Sequence, residues 1–255
     1  MKYSIIFMVF SIFLFFGCSS ASDNNQEPLD KLTWELTPTM TATLYKGVLT
    51  ISTTQESEDM PFNGDNTAFP WYNFHYFIIS VNIEDGVSNV SMRSFYNYDN
   101  LTSVTMPNSV KTILDGAFSG CSNLSFVTIS NSITTIGSDA FSNCRSLTSI
   151  TIPHSVTKIW GHAFAGCSRI TSVAIPNSVT MIGPNAFASC FNLKDVTVEW
   201  ATPLNISYPT YAPYQEAVFG GVNVSFVTLH VPVGTKSLYE VAEVWKDFGK
   251  ILEDL

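Results

Sequence analysis

The sequence predicts a solenoid: β-rich coils of 23 residues stacked on one another, with a β cap at the N-terminal end and a helical cap at the C-terminal end. Three columns of residues carry that expectation. Val81, Val104, Val127, Ile150, Val173 and Val196 stand 23 residues apart. Phe95, Phe118, Phe141, Phe164 and Phe187 repeat at the same interval, and so do Cys121, Cys144, Cys167 and Cys190. A fixed period without insertions marks one structural unit stacked on copies of itself.

Taken in chain order, Met1-Lys2 is followed by an apolar run from Ile5 to Phe16 and then by Gly17-Cys18. The run is short for a membrane span and reads as the apolar part of a signal peptide over residues 1–17. Gly17-Cys18 resembles a bacterial lipobox, although Phe16 stands where small residues are usual. The resemblance implies that Cys18 becomes a lipidated N-terminus. Residues 18–28 are polar and aperiodic, as expected of a flexible tether.

Residues 29–77 are expected to form the N-terminal β cap. Leu32–Leu36 and Thr41–Ile51 alternate as antiparallel strands do, with Lys46-Gly47 at a turn. The aromatic and proline-rich stretch from Met60 to Tyr72 is expected to cover the first coil. Its alternative role is an aromatic platform for glycans, since aromatics supply broad flat contact area. Asp65-Asn66 near Gly64 offers one carboxylate, too few for a calcium site.

Residues 78–198 hold the repeats. In the unit 124–146, Val127 and Ile129 alternate as in a strand with one buried face. Ile133 and Ile136 form a second inward segment, and Ala140-Phe141 sends a ring into the core. Pro107, Pro153 and Pro176 end the first strand of three units, because proline cannot donate to the next ladder bond. No unit buries these faces alone, so stacking must do so.

The pattern Leu-x-x-Val-x-Ile-Pro-Asn-Ser-Val-x-x-Ile-Gly-x-x-Ala-Phe-x-x-Cys resembles the BspA-type leucine-rich repeat. Residues 101–121, 124–144, 147–167 and 170–190 match it nearly completely. Residues 78–98 match with Ser94 for alanine and Tyr98 for cysteine. The resemblance implies a right-handed leucine-rich-repeat stack in an α+β setting. It further implies an outer-membrane, cell-surface lipoprotein of a Bacteroides-like bacterium that adheres to host or bacterial proteins.

A sixth unit opens at Asp195–Val198 and is then interrupted over 199–234, where Trp200 to Ala217 carries Pro203, Pro209, Pro213 and three tyrosines. Loops of that length are often functional. It resumes at Phe219-Gly220-Gly221 with a last strand at Val227-Thr228-Leu229. In 235–255, Leu238, Val241, Ala242, Trp245, Phe248 and Ile251 fall at helical spacing, which predicts a helix started by Thr235 or Ser237.

Twelve basic against 21 acidic residues give a net charge of −9, which argues against a nucleic-acid surface. The cysteine column is expected to hold buried free thiols. Neighbours one coil apart, about 4.8 Å, point the same way rather than at each other, and a linear row of sulfurs offers zinc no tetrahedron. His75, His154, His162 and His230 occupy no metal-binding spacing, and no nucleophile elbow or phosphate loop occurs. No enzyme activity, cofactor or metal site is therefore expected.

The repeats serve as one another's reference, and two coils depart from it. His154 stands where Asn108, Asn131 and Asn177 do. Trp160 stands in a column of Leu114, Gly137 and Gly183, and His162 and Arg169 follow it. Phe126 interrupts the outward column Ser80, Ser103, Ser149 and Ser172. Trp and Arg are enriched where partners bind most tightly. These residues are the candidate contacts, together with the outward polar lane Ser103, Thr105, Thr128, Ser149, Thr151 and Ser172. The expected partner is a protein, with glycan capture and self-association as alternatives.

Overall fold

The computed structural model describes residues 31–61, 66–206 and 217–255. The signal-peptide segment, Cys18, the tether, Asp65 and most of the proline-rich insertion lie outside the described residues.

Three strands open the fold: β1 (Leu32–Glu35), β2 (Met40–Tyr45) and β3 (Val48–Thr53). They pair antiparallel. Lys46 and Gly47, both at positive φ (49° and 79°), close the two-residue hairpin turn as the sequence predicts. β3 then pairs in parallel with β4 (Ser80–Ile83), 32 residues on. Residues 48–79 thus already make one irregular turn of the stack, and only β1 and β2 stand outside the parallel ladder.

From β4 to β13 each coil contributes one strand to each of two walls. The first wall continues with β6 (Ser103–Thr105), β8 (Phe126–Val127), β10 (Ser149–Thr151), β12 (Ser172–Ile175) and β14 (Asp195–Val198). The second wall is one parallel sheet of β5 (Asn89–Val90), β7 (Thr112–Ile113), β9 (Thr135–Ile136), β11 (Lys158–Ile159) and β13 (Met181–Ile182). The result is a solenoid of about seven turns.

The first wall is not continuous. Its ladder ends at β8 and restarts at β10. The coil at the break is the one in which Ser130 replaces the strand-ending proline, and its strand is two residues long. Ser130 instead turns inward and donates to the Val110 carbonyl at 3.3 Å.

The core is built by columns. The five phenylalanines, with Phe219 as a sixth, stack at centroid spacings of 5.3–5.8 Å and within 17° of parallel. Trp71 caps this ladder at one end, 6.0 Å from Phe95, and its Nε1 donates to the Ser94 carbonyl. The Ser94 hydroxyl, in the alanine column, donates to the Ser91 carbonyl at 2.9 Å. Phe69 and Trp71 are both buried, so they do not form the glycan platform that the aromatic stretch allows. At the other end Trp245 and Phe248 meet Phe219 edge-on at 70° and 88°, ending the stack.

The four repeat cysteines are free, buried and hydrogen-bonded. Each Sγ–H donates to the phenylalanine carbonyl of the preceding coil, at 3.0 Å for Cys121 to Phe95 and 3.4 Å for Cys190 to Phe164. Cys144 and Cys167 do the same onto Phe118 and Phe141. Burial pushes the thiols of Cys121 and Cys190 up to about 12. A disulfide reagent should therefore find no reactive repeat cysteine in the folded chain and four after denaturation. Native-state labelling would contradict the buried column. Tyr98 fills the same column with a buried hydroxyl that finds no partner.

The C-terminal end departs from the expected helix. Only α1 (Lys236–Tyr239) is α-helical, with a separate 3-10 turn at Trp245–Asp247, and Thr235 spends its hydroxyl on the Pro232 carbonyl rather than on a cap. Val244 at φ 72° breaks the run. The chain then returns as β16 (Lys250–Glu253), parallel to β15 (Thr228–Val231), which itself pairs with β14. Leu238 and Val241 are exposed, whereas Tyr239 and Trp245 are buried and donate to the carbonyls of Trp200 and Leu204. Those long-range contacts outweigh local helix propensity. Trp200 is buried and donates to the Val179 carbonyl, so the described stem of the insertion packs down on the stack.

His230 clasps this end, its Nδ1 2.8 Å from Asp254 and its Nε2 3.4 Å from Asp195. Burial lowers its pKa, but hydrogen bonds and charge from Asp254 and Asp195 outweigh this and leave it raised. A raised folded pKa adds stability below the ordinary histidine range, lost as pH rises through the folded value. Stability should thus fall modestly on going from pH 6 to pH 8, and His230→Gln should flatten that dependence in thermal melts.

Candidate functional site

The candidate contacts do not form one cluster. Ser103 is half-buried on the first wall, while Thr105, Thr128, Ser149, Thr151 and Ser172 are exposed there. Thr105 spends its hydroxyl on Asn82 Oδ1 at 2.8 Å. Phe126 is exposed on the same wall, beside the break in the ladder. His154 sits in the turn between the walls, 3.5 Å from Glu199. Trp160 and His162 follow β11 on the far side, and Arg169 lies in the turn before β12. Among the described residues, no hydrogen bond or ring contact joins His154, Trp160, His162 and Arg169 to one another.

One of the departures has a structural place, and the other stands between two glycines of its column. Position 162 belongs to a column of left-handed residues: Arg93, Gly116, Asp139, His162 and Asn185, at φ 53–61°. Gly, Asp and Asn in that column signal such backbone, which they adopt most readily. Trp160 belongs to an alternation of large and absent side chains. A Cβ on Gly137 would lie 2.7 Å from the Leu114 carbonyl carbon, and one on Gly183 2.6 Å from that of Trp160. Each glycine lets its coil close onto the backbone of the coil before.

Much of the Ser/Thr surface is also structural. Thr102, Thr134, Thr157 and Thr180 donate to the carbonyls of Ile79, Lys111, Thr134 and Thr157, each one coil back. These hydroxyls tie successive coils together along the edges of the walls.

An apolar open surface lies outside the candidate contacts. Tyr76, Phe77 and Ile79 are 65%, 51% and 52% exposed on the approach to β4. They line a groove of about 540 Å³ with Lys46, Thr102 and Asn123, which runs toward the coil of Phe126. Asn100 holds its wall by donating to the Tyr76 carbonyl at 2.7 Å. A usable signal was present: Ile79 stands in a column otherwise filled by Thr102, Ser125, Thr148, Thr171 and Lys194.

Comparison with known proteins follows from this geometry. A family model described as "BspA type Leucine rich repeat region (6 copies)" matches residues 67–208, more than half of the chain. The model describes a repeat scaffold, and no catalytic family is indicated. A leucine-rich repeat protein from Bacteroides ovatus is similar in structure at a TM-score of 0.51 and 24% identity, over 79% of this chain and 48% of that one. The pneumococcal vaccine antigen PcpA superposes at a TM-score of 0.55 and 16% identity, over 80% and 46%. The chain thus spans about half the length of these two structures, and at such identities the likeness concerns the fold. No curated protein matches the chain. Among the described residues no helix is long and apolar enough to cross a membrane, and no group of His, Cys, Asp or Glu is arranged to hold a metal.

Proposed function

Because the chain belongs to the BspA-type leucine-rich repeat family, we propose that it is a protein-binding module displayed outside the cell, held to the outer membrane by a lipid on Cys18. Repeat proteins of this class generally bind proteins through extended surfaces. The observation that carries the reading is the groove of Tyr76, Phe77 and Ile79. Exposed aromatic and aliphatic side chains beside a polar, weakly charged wall match the make-up of a binding centre with a hydrogen-bonding rim. Phe126 and the lane of Thr105, Thr128 and Thr151 extend that rim along the first wall. Trp160, His154, His162 and Arg169 lie away from the groove and are assigned no part in the main contact.

The full chain, immobilised, should capture a protein from host matrix preparations or bacterial lysate. Phe77→Ser combined with Ile79→Ser should weaken that complex at least about tenfold, a loss of about 1.4 kcal/mol. Trp160→Ala should leave it within about twofold. Equal binding by the groove variant would remove the groove from the account. Loss of palmitate labelling in Cys18→Ala would support the anchor, and retained labelling would refute it.

A further inference from the structure

We propose that a notch around Tyr96, separate from the Tyr76–Ile79 groove, is a binding site for a neutral, hydroxyl-rich glycan. Two adjoining cavities of about 360 and 470 Å³ share Tyr96, Ser119 and Asn143 and so form one continuous depression. None of the groove residues lines it.

The notch arises from the repeat. Two columns run at positive φ on this side: Arg93, Gly116, Asp139, and Asn97, Gly120, Asn143. In the middle coil both positions are glycine, over which the side chains of Asn97 and Arg93 lean, and Asp115, Ser119 and Ser122 of that coil line the depression beside them. The flanking coils carry Arg93, Tyr96 and Asn97 on one side and Asp139 and Asn143 on the other.

The lining suits a sugar. Tyr96 is 36% exposed, with the Arg93 guanidinium 6.0 Å from its ring centroid. It offers a flat face to the C–H side of a pyranose. Planar polar groups surround it at fixed angles. Asp115 accepts from the Ser138 backbone N–H at 2.8 Å, and Asp99 accepts from the Ser122 hydroxyl at 2.8 Å. Each carboxylate is thereby oriented through one of its oxygens. Arg93 and Arg145 face Asp99, Asp115 and Asp139, two positive charges against three negative. That balance gives no attraction to a uronic or sialic acid and favours an uncharged ligand.

The test is a printed array of neutral and acidic oligosaccharides probed with the full chain, followed by calorimetry on the strongest neutral binder. Neutral oligosaccharides should be held in preference to acidic ones. Tyr96→Ala should weaken binding at least about tenfold. Gly116→Asn should do the same by crowding the Arg93 side chain, 3.2 Å from where its Cβ would stand, in a column where Asp139 and Asn185 already adopt the same backbone. Phe77→Ser with Ile79→Ser should leave sugar binding unchanged, which separates this site from the proposed protein contact. The proposal is overturned by a preference for acidic sugars, by the absence of any bound oligosaccharide, or by binding that survives Tyr96→Ala.

Discussion

Phe141→Ala should cost the solenoid about 3–5 kcal/mol, the range for truncating a fully buried aromatic. Phe141 has no exposed surface and stacks on both sides, on Phe118 at 5.4 Å and on Phe164 at 5.5 Å. The void would sit between two coils whose backbones are already fixed by wall hydrogen bonds and by the Cys167 thiol on the Phe141 carbonyl. The site therefore has little freedom to collapse. At roughly 2–4 °C per kcal/mol for a chain of this size, the melting temperature should fall by roughly 10 °C. Because each coil touches only its neighbours, the loss should spread to the coils on either side rather than remain local. A shift below about 3 °C in thermal melts would show that the ring ladder is not the principal support of the core.

Gly183→Ala should be nearly as damaging although it adds only a methyl group. A Cβ there would lie 2.3 Å from the Gly161 nitrogen, 2.6 Å from the Trp160 carbonyl carbon and 2.8 Å from the Gly161 Cα. All three neighbours are backbone and cannot swing aside. Overpacking of this kind costs about 1–3 kcal/mol and occasionally more, and the three-sided contact places Gly183 at the upper end. Gly161→Ala is the control. Its nearest atom is the Pro184 carbonyl oxygen at 3.2 Å, so a small shift accommodates it. Denaturant unfolding of the two variants should separate them by at least about 2 kcal/mol; equal stability would refute the close approach of Gly183 to the backbone of the coil before as a packing device.

What could be read in advance follows from what repeats. The valine, phenylalanine and cysteine columns recur in phase, so their inward direction was legible, as was the hairpin at Lys46-Gly47. The cysteines were legible as packing but not as donors, because the acceptor is a backbone carbonyl 26 residues back that no side-chain pattern encodes. The C-terminal segment was misread because spacings of three and four fit a helix and an irregular coil alike. Contacts from Tyr239 and Trp245 to the insertion stem decide between them. For the same reason the stack runs on through β15 and β16 beyond the five clear repeats that the sequence displays.

The candidate site was legible only in part. Treating every break in the repeat as functional singled out His162, whose place the backbone explains as a left-handed position, and Trp160, whose exposed ring the close glycine contacts do not explain. Exposure decided the rest. Phe126 and the Tyr76–Ile79 segment are apolar where their columns are polar, and they lie open on or beside the first wall. Trp71, of similar composition and nearby in sequence, is wholly buried against Phe95.

The central claim is that the partner seats on the groove and the first wall. Hydrogen exchange of the full chain, alone and with its captured protein, tests it most directly. Protection should concentrate in residues 76–82, 100–105 and 123–128, with β7, β9 and β11 on the second wall unchanged. Protection confined to the second wall, or to the segment around Trp160 and His162, would contradict it.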